Sequence, residues 1–459
     1  MASKKTQARP ASPAARPVTE PGLPDQPAAE PELPNDKLAA EPVKPAAQAV
    51  AETVVPEEQD KTEKVPAGPP VQVMEGSAPD PDKPEPDRPE VASITDLVRP
   101  EAAPLPVMDV LLTDYSKFAA LQGRPRRQSM RGFDEDYVDI IDYIVRVTHR
   151  IWEEKNVGLL YRHYAHNIGI YTADGMTYGR DKVIAETIKS IAAFPDVRIM
   201  AEEIIWSGND VDGFHTSHRG VWMGTNTGYS NYGAPTGRRV LRRSVAHCIV
   251  RDNFIYEEWI TRDELAVVWQ LGFDAVKLAK QVAARDYASG VKAPMPVGTG
   301  EVERLLGQTT PEELPPLPPA FEPEDFVRRA IHEIWNWRMF GKVRDYYVPN
   351  YVCNTTGNRV LYGLGALQAN ITQMIAAFPD ARMLVDHVIW MGDEQKGYRV
   401  SVRWYLQGTH QGPGFYGEPT GKRIKMMGHT HYLIQDGKFV KEWTQCDEFA
   451  LLKQIYWPV

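Results

Sequence analysis

The stretch "GTHQGPGFYGEPTGKRIKMMGHTHYLI" at residues 408–434 has a counterpart, "GTNTGYSNYGAPTGRRVLRRSVAHCIV", at residues 224–250. Gly224, Gly228, Gly233 and Gly237 recur as Gly408, Gly412, Gly417 and Gly421. Pro235, Thr236, Arg239 and His247 recur as Pro419, Thr420, Arg423 and His431. Every pair is 184 residues apart. The same separation relates "IAAFPD" at 191–196 to its repeat at 375–380, Trp206 to Trp390, and "EEWITRDE" at 257–264 to "KEWTQCDE" at 441–448. Trp152 and Trp335 pair one residue short of it. One domain is therefore written twice. A solenoid is excluded, because each copy runs to roughly 140 residues, far beyond a solenoid unit.

Each copy opens on an amphipathic helix. Tyr137, Ile140, Ile141, Ile144, Thr148, Ile151 and Trp152 fall at three- and four-residue steps, with Asp134 as N-cap; Val327, Ala330, Ile331, Ile334 and Trp335 repeat the stripe after Pro323. A second helix is predicted at 180–193 and 364–377, ended by "FPD", where proline forces the chain out of helix. The period then changes to two. Tyr398, Val400, Val402, Trp404 and Leu406 alternate with Arg399, Ser401, Arg403 and Tyr405. Strands are expected near 197–208, 213–224, 238–250 and 253–262, with partners in the second copy. Helices followed by an antiparallel sheet is an α+β order. The domains predicted are 132–273 and 322–459, joined by a connection over 274–321 that starts with a helix.

The rest of the 459-residue chain differs in kind. Residues 1–100 hold no aromatic residue and 20 of the 38 prolines, and they carry 11 Lys+Arg against 18 Asp+Glu. Such a segment buries too little apolar surface to offset its ordering entropy, so residues 1–105 are expected to be a disordered tail, either a spacer or a tether for an unknown protein. The remainder is nearly neutral, 41 against 43, which gives no basic face for nucleic acid. No stretch is apolar enough to span a membrane, and no secretory signal precedes the prolines. Three cysteines at no metal-site spacing point to a reduced, cytoplasmic protein. "MDVLLTDYSKFAALQ" at 108–122 reads as a docking helix or as a segment packed on the first domain, and "RPRRQSM" at 124–130 as an exposed basic turn.

The motifs "AAFPD", "GTH.G...G.PTG.R" and "EW...DE" resemble the SnoaL-like family of polyketide cyclases and predicted ester cyclases, over both copies. The resemblance implies two tandem cone-shaped α+β barrels, helices packed on a curved antiparallel sheet, of the nuclear transport factor 2 and ketosteroid isomerase fold. It implies intramolecular aldol chemistry without cofactor or metal. It carries an acid/base aspartate onto Asp447 and Asp263, and a histidine onto His431 and His247. The first copy departs from the pattern where Asn226 replaces His410.

Strand parity bears on that mechanism. Trp259 and Asp263 share a face, as do Trp443 and Asp447. If the tryptophans point into the cones, carboxylate and imidazole converge there and can move a proton beside a carbonyl. Helix capping by Asp263 and Asp447, with Thr261 as N-cap of a "TRDE" box, is the competing reading, and hydrogen-bonded core histidines are the competing reading for His247 and His431. His410, His429 and His431 with Asp447 make a conceivable metal set, but the first copy has Asn226 and Val245 at two of these positions, so no metal is expected. The predicted substrate contacts are His410, His429, His218, Trp404, Trp443 and Trp259, with Trp152, Trp206, Trp222, Trp335 and Trp390 as further lining.

Two functions stay open. One is a cyclase, isomerase or lyase acting on a hydrophobic or aromatic small molecule. The other is a binding or assembly module, the two copies pairing as a pseudo-dimer or the chain forming a homo-oligomer.

Overall fold

The computed structural model describes residues 115–298 and 313–458, which all lie in one compact unit, Arg88–Val459. The expectations for the tail at 1–105 and for residues 108–114 fall outside these residues. Domain 1 contains α1 (Ser116–Ala119), α2 (Ile140–Trp152), α3 (Leu160–His163), β1 (Tyr164–Thr172), β2 (Gly175–Tyr178), α4 (Arg180–Ala193), β3 (Arg198–Asn209), β4 (Gly213–Thr225), β5 (Arg239–Arg251), β6 (Phe254–Arg262) and α5 (Glu264–Gln270). A helix α6 (Ala275–Ala288) follows. Domain 2 repeats the order with α7 (Pro323–Ile331), α8 (Val343–Tyr346), β7 (Tyr347–Thr355), β8 (Arg359–Tyr362), α9 (Gly363–Ala377), β9 (Arg382–Asp393), β10 (Gly397–Thr409), β11 (Arg423–Gln435), β12 (Lys438–Cys446) and α10 (Glu448–Ile455).

Each domain has a six-stranded sheet, β2-β1-β6-β5-β4-β3 and β8-β7-β12-β11-β10-β9. The sheets are not wholly antiparallel: β1 runs parallel to β6, and β7 to β12. The first helix starts later than its stripe suggests. Asp139, not Asp134, accepts the capping bond, from the Asp142 amide at 2.8 Å. Asp134 instead takes a bidentate contact from Arg162. Tyr143, Ile144 and Ile151 of α2 then pack on the inner face of the sheet with Ile204, Phe214 and Val250.

Three connecting segments belong to the domains. Leu278, Ala279 and Val282 of α6 join the domain 2 core beside Leu451 and Ile455 of α10. Phe118 of α1 is buried in the domain 1 core, so residues 115–122 pack on that domain. The "RPRRQSM" turn is pinned as well: Met130 is buried, Ser129 donates to Asp210 at 2.7 Å, and Arg126 binds the Met130 and Phe133 carbonyls. No described helix is long and apolar enough to cross a membrane.

The repeated glycines explain themselves by close approach. A Cβ on Gly228 would stand 2.1 Å from the Ala192 carbonyl oxygen, and one on Gly412 1.7 Å from that of Ala376. The glycine-rich loop of each domain is thus pressed onto the end of its "AAFPD" helix, a position only glycine fits.

Candidate active site

A cavity of about 610 Å³ opens in domain 1 between α2, the start of β3 and β4, beneath Tyr115. Val145, Ile199, Met200 and Ala201 give it apolar walls. One end is polar. Tyr115 stacks on His149, with an interplanar angle of 11°, and Glu153 is held by Arg198 at 3.1 Å and by the Ile199 amide at 3.1 Å. His218 of β4 forms part of the wall, and its buried Nε2 has no hydrogen-bond partner. Burial, helped by the nearby His431, pulls the His218 imidazole down to about 4. It is therefore neutral at pH 7.

Gly220 makes the room for it. A Cβ there would lie 3.5 Å from His218 Nε2 and 3.0 Å from the Met200 carbonyl oxygen. The counterpart of Gly220 is Trp404, whose ring lies over Gly428; a Cβ on Gly428 would come within 2.1 Å of that ring. In domain 1 the position paired with Gly220 is Ser244. Small and large residues are thus exchanged across one cross-strand pair, Gly220–Ser244 against Trp404–Gly428. The domain 2 cavity beside Trp404 measures about 60 Å³, and Trp404 is held by its Nε1–H on Thr430 Oγ at 3.0 Å. Trp404 is a plug.

His247, His431, Trp259 and Trp443 do not point into the cones. They lie on the outer faces of the two sheets, which pack on each other. His247 pairs with Trp259, and His431 with Trp443. The Arg403 guanidinium stands 3.7 Å over Trp259, and Arg219 4.1 Å over Trp443, in a reciprocal pattern. Parity misled because both faces of each sheet are buried, so alternation cannot say which face looks inward. His429 also faces this contact, at 3.2 Å from Thr261 Oγ.

Along the same contact Ser401 donates to Ser217 at 2.7 Å, Ser217 lies 2.8 Å from His431 Nε2, and His431 Nδ1 lies 2.9 Å from Glu203. The carboxylate requires the proton on Nδ1, so Nε2 accepts from Ser217. This serine–histidine–glutamate order is that of an activated nucleophile. Here all three side chains are sealed between the sheets and line neither cavity. The relay is structural. Burial works against the Glu203 charge, but the His431 hydrogen bond and the Arg219 and Arg399 guanidinium groups hold its carboxyl at about 2. Burial outweighs the pull of Glu203 on His431 and lowers the imidazole. The histidine is neutral, and its contact with Glu203 is a hydrogen bond.

Asp263 and Asp447 are helix N-caps, accepting from Ala266 at 3.1 Å and Ala450 at 2.8 Å. Asp263 itself is the cap; Thr261 remains in the strand. It also accepts from the Gly357 and Asn358 amides of the β7–β8 turn, which ties domain 1 to domain 2. Burial raises both carboxyls, with Glu264 adding to the effect. Asp263→Ala removes a cap and leaves the two turn amides without their acceptor. It is expected to destabilise the protein by about 2–4 kcal/mol, read by urea unfolding.

His410 lines neither of the two cavities. Its Nδ1 lies 3.2 Å from Thr420 Oγ, and Asn226 plays the same part in domain 1, accepting from Thr236. The set His410, His429, His431 and Asp447 is therefore not assembled as a metal site.

On the last strand of each sheet the carboxylates that face inward are Glu258 and Glu442, in addition to Glu153 in the domain 1 cavity and Glu448 in that of domain 2. Tyr164 lies 3.3 Å from Glu258, and Tyr351 hydrogen-bonds Glu442. Burial raises both. Their signal in the sequence was the glutamate before each tryptophan in the two "EW" motifs, on the opposite strand face from the residues selected.

The SnoaL-like polyketide cyclase family matches residues 143–271 and 325–455, more than half of the chain. The chain belongs to the SnoaL-like polyketide cyclase family. It carries two SnoaL-like domains, one over each copy of the repeat. Among solved structures, similarity extends to a SnoaL-like protein from Jannaschia sp. CCS1 assigned to the polyketide cyclases, at 21% identity and TM-score 0.28, covering 31% of this chain and 100% of that one. It extends also to a protein from Acidithiobacillus ferrooxidans with the same assignment, at 22% identity and TM-score 0.27, covering 30% and 97%. IdmH from Streptomyces antibioticus is similar at 22% identity and TM-score 0.26, covering 29% and 99%. No curated protein matches the chain.

Proposed function

We propose that domain 1 of this SnoaL-like protein is an acid/base enzyme that acts on a hydrophobic or aromatic small molecule, as a cyclase, isomerase or lyase does, using side chains alone. The observation that carries this reading is the buried, unpartnered His218 Nε2 in the wall of a cavity of about 610 Å³. A neutral imidazole in an apolar wall is a weak base in isolation. An enolate formed beside it offsets the cost of the buried imidazolium, so proton transfer and charge development support each other. The Tyr115–His149 stack would orient the polar end of the ligand.

Domain 2 is assigned an assembly role, because Trp404 fills its cone while its outer sheet face covers that of domain 1. Deuterium uptake at the α-carbon of 2-tetralone in heavy water tests the acid/base reading by NMR. The wild-type protein is expected to accelerate exchange above buffer, and His218→Phe to lose that acceleration by about 100-fold or more. Equal exchange by both proteins, or none above buffer, would remove His218 as the proton carrier.

A further inference from the structure

The two ends of the contact between the sheets differ in chemistry. At one end Glu203 binds Arg399 at 2.9 Å, His431 at 2.9 Å and Arg219 at 3.2 Å. The positions 184 residues away from these four are His387, His215, His247 and Arg403. The other end of the contact has therefore replaced a carboxylate and an arginine by two histidines and kept the third. We propose that His215, His247 and His387 form a binding site for a first-row transition-metal dication, zinc above all.

Four observations support it. The ligand nitrogens of the three residues all lie within 4.8 Å of one another. They come from three strands, β4 and β5 of domain 1 and β9 of domain 2, so the cluster is held by sheet rather than loop. His387 Nε2 is buried without a hydrogen-bond partner, which leaves a lone pair or proton unanswered. His215 and His387 are half-buried, so an ion has a path to them.

Imidazole nitrogen suits zinc, copper, nickel and cobalt, and three such ligands leave a fourth position for water. Burial lowers all three imidazoles, His387 to about 3, with Arg403 adding to the effect. All are thus in the neutral form that binds metal. The opposing charges at hand are Arg403, which Asp386 already neutralises at 2.5 Å, and Arg328, which Glu324 holds at 2.8 Å. The 3.4 Å contact of Arg403 with His247 Nδ1 would be given up when that nitrogen carries the proton and Nε2 binds the ion. Arg403 would stay placed by Asp386 and by the Trp259 ring.

The test uses full-length, tag-free protein, stripped of metal and titrated with zinc chloride against a colorimetric chelator, then with cobalt chloride. One zinc per chain is expected, with the visible absorption of a four-coordinate nitrogen site for cobalt. The control is His215→Arg with His387→Glu, which installs the side chains that the other end holds as Arg399 and Glu203, and so preserves the fold. Zinc affinity is expected to fall by at least about 100-fold in it and the cobalt absorption to vanish. Failure of the wild-type protein to bind zinc would overturn the proposal, and so would equal affinity in the double variant.

Discussion

Replacing Glu203 by Gln will lower stability by about 3–5 kcal/mol, the usual cost of removing one partner from a buried charge cluster. The substitution is nearly isosteric, so the loss is electrostatic. Arg219 and Arg399 would face each other across His431 without the carboxylate that now serves all three. Glu202 would retain Arg219 at 2.8 Å and so limit the damage.

The pH dependence gives an independent check. Glu203 has a folded-state value near 2, against 4.5 for an ordinary glutamate. A depressed carboxyl stabilises the fold fully above its unfolded value, and that contribution is lost as pH falls through the folded value. The wild-type protein should therefore shed about 3 kcal/mol between pH 4.5 and 2 from this group alone. Glu203→Gln should show a correspondingly shallower acid slope in urea unfolding. An unchanged slope would mean that Glu203 is not the anchor of the contact.

Trp404→Gly is the second large effect. It removes a buried indole from the domain 2 cone and its hydrogen bond to Thr430. Truncations of this size cost about 3–5 kcal/mol, because the walls relax only in part. Gly428 opposite offers no side chain to fill the space. The expected gain is a second cavity, read as a second equivalent of bound 2-naphthol per chain. A variant as stable as wild type and with unchanged stoichiometry would show that Trp404 is no plug.

Much of the fold was legible because it is written twice. The predicted helices at 180–193 and 364–377 and the four later strands of each domain match the structure within a residue or two. What escaped was which face of a strand looks inward. Trp259 and Trp443 are large and apolar, and parity places them with His247 and His431, yet the domain that covers them is the other copy. No periodicity within one copy can reveal that. The same blindness hid Glu258 and Glu442, whose neighbours in sequence drew attention to the wrong face.

The asymmetry between the cones depends on Gly220 and Ser244 against Trp404 and Gly428, a difference that acquires meaning only once the strand register pairs them. Of the residues proposed from sequence for substrate contact, His218 is the one that lines the domain 1 cavity. Its signal was simply that Val402 replaces it in the second copy.

The Gly220–Ser244 pair is expected to keep the domain 1 pocket open. The direct measurement is the stoichiometry and affinity of 2-naphthol by calorimetry for wild type and for Gly220→Trp with Ser244→Gly, which copies the domain 2 pair into domain 1. One site per chain in the wild type, weakened at least tenfold in a double variant that still unfolds cooperatively, is the predicted result. A folded double variant that binds 2-naphthol as the wild type does would contradict the account.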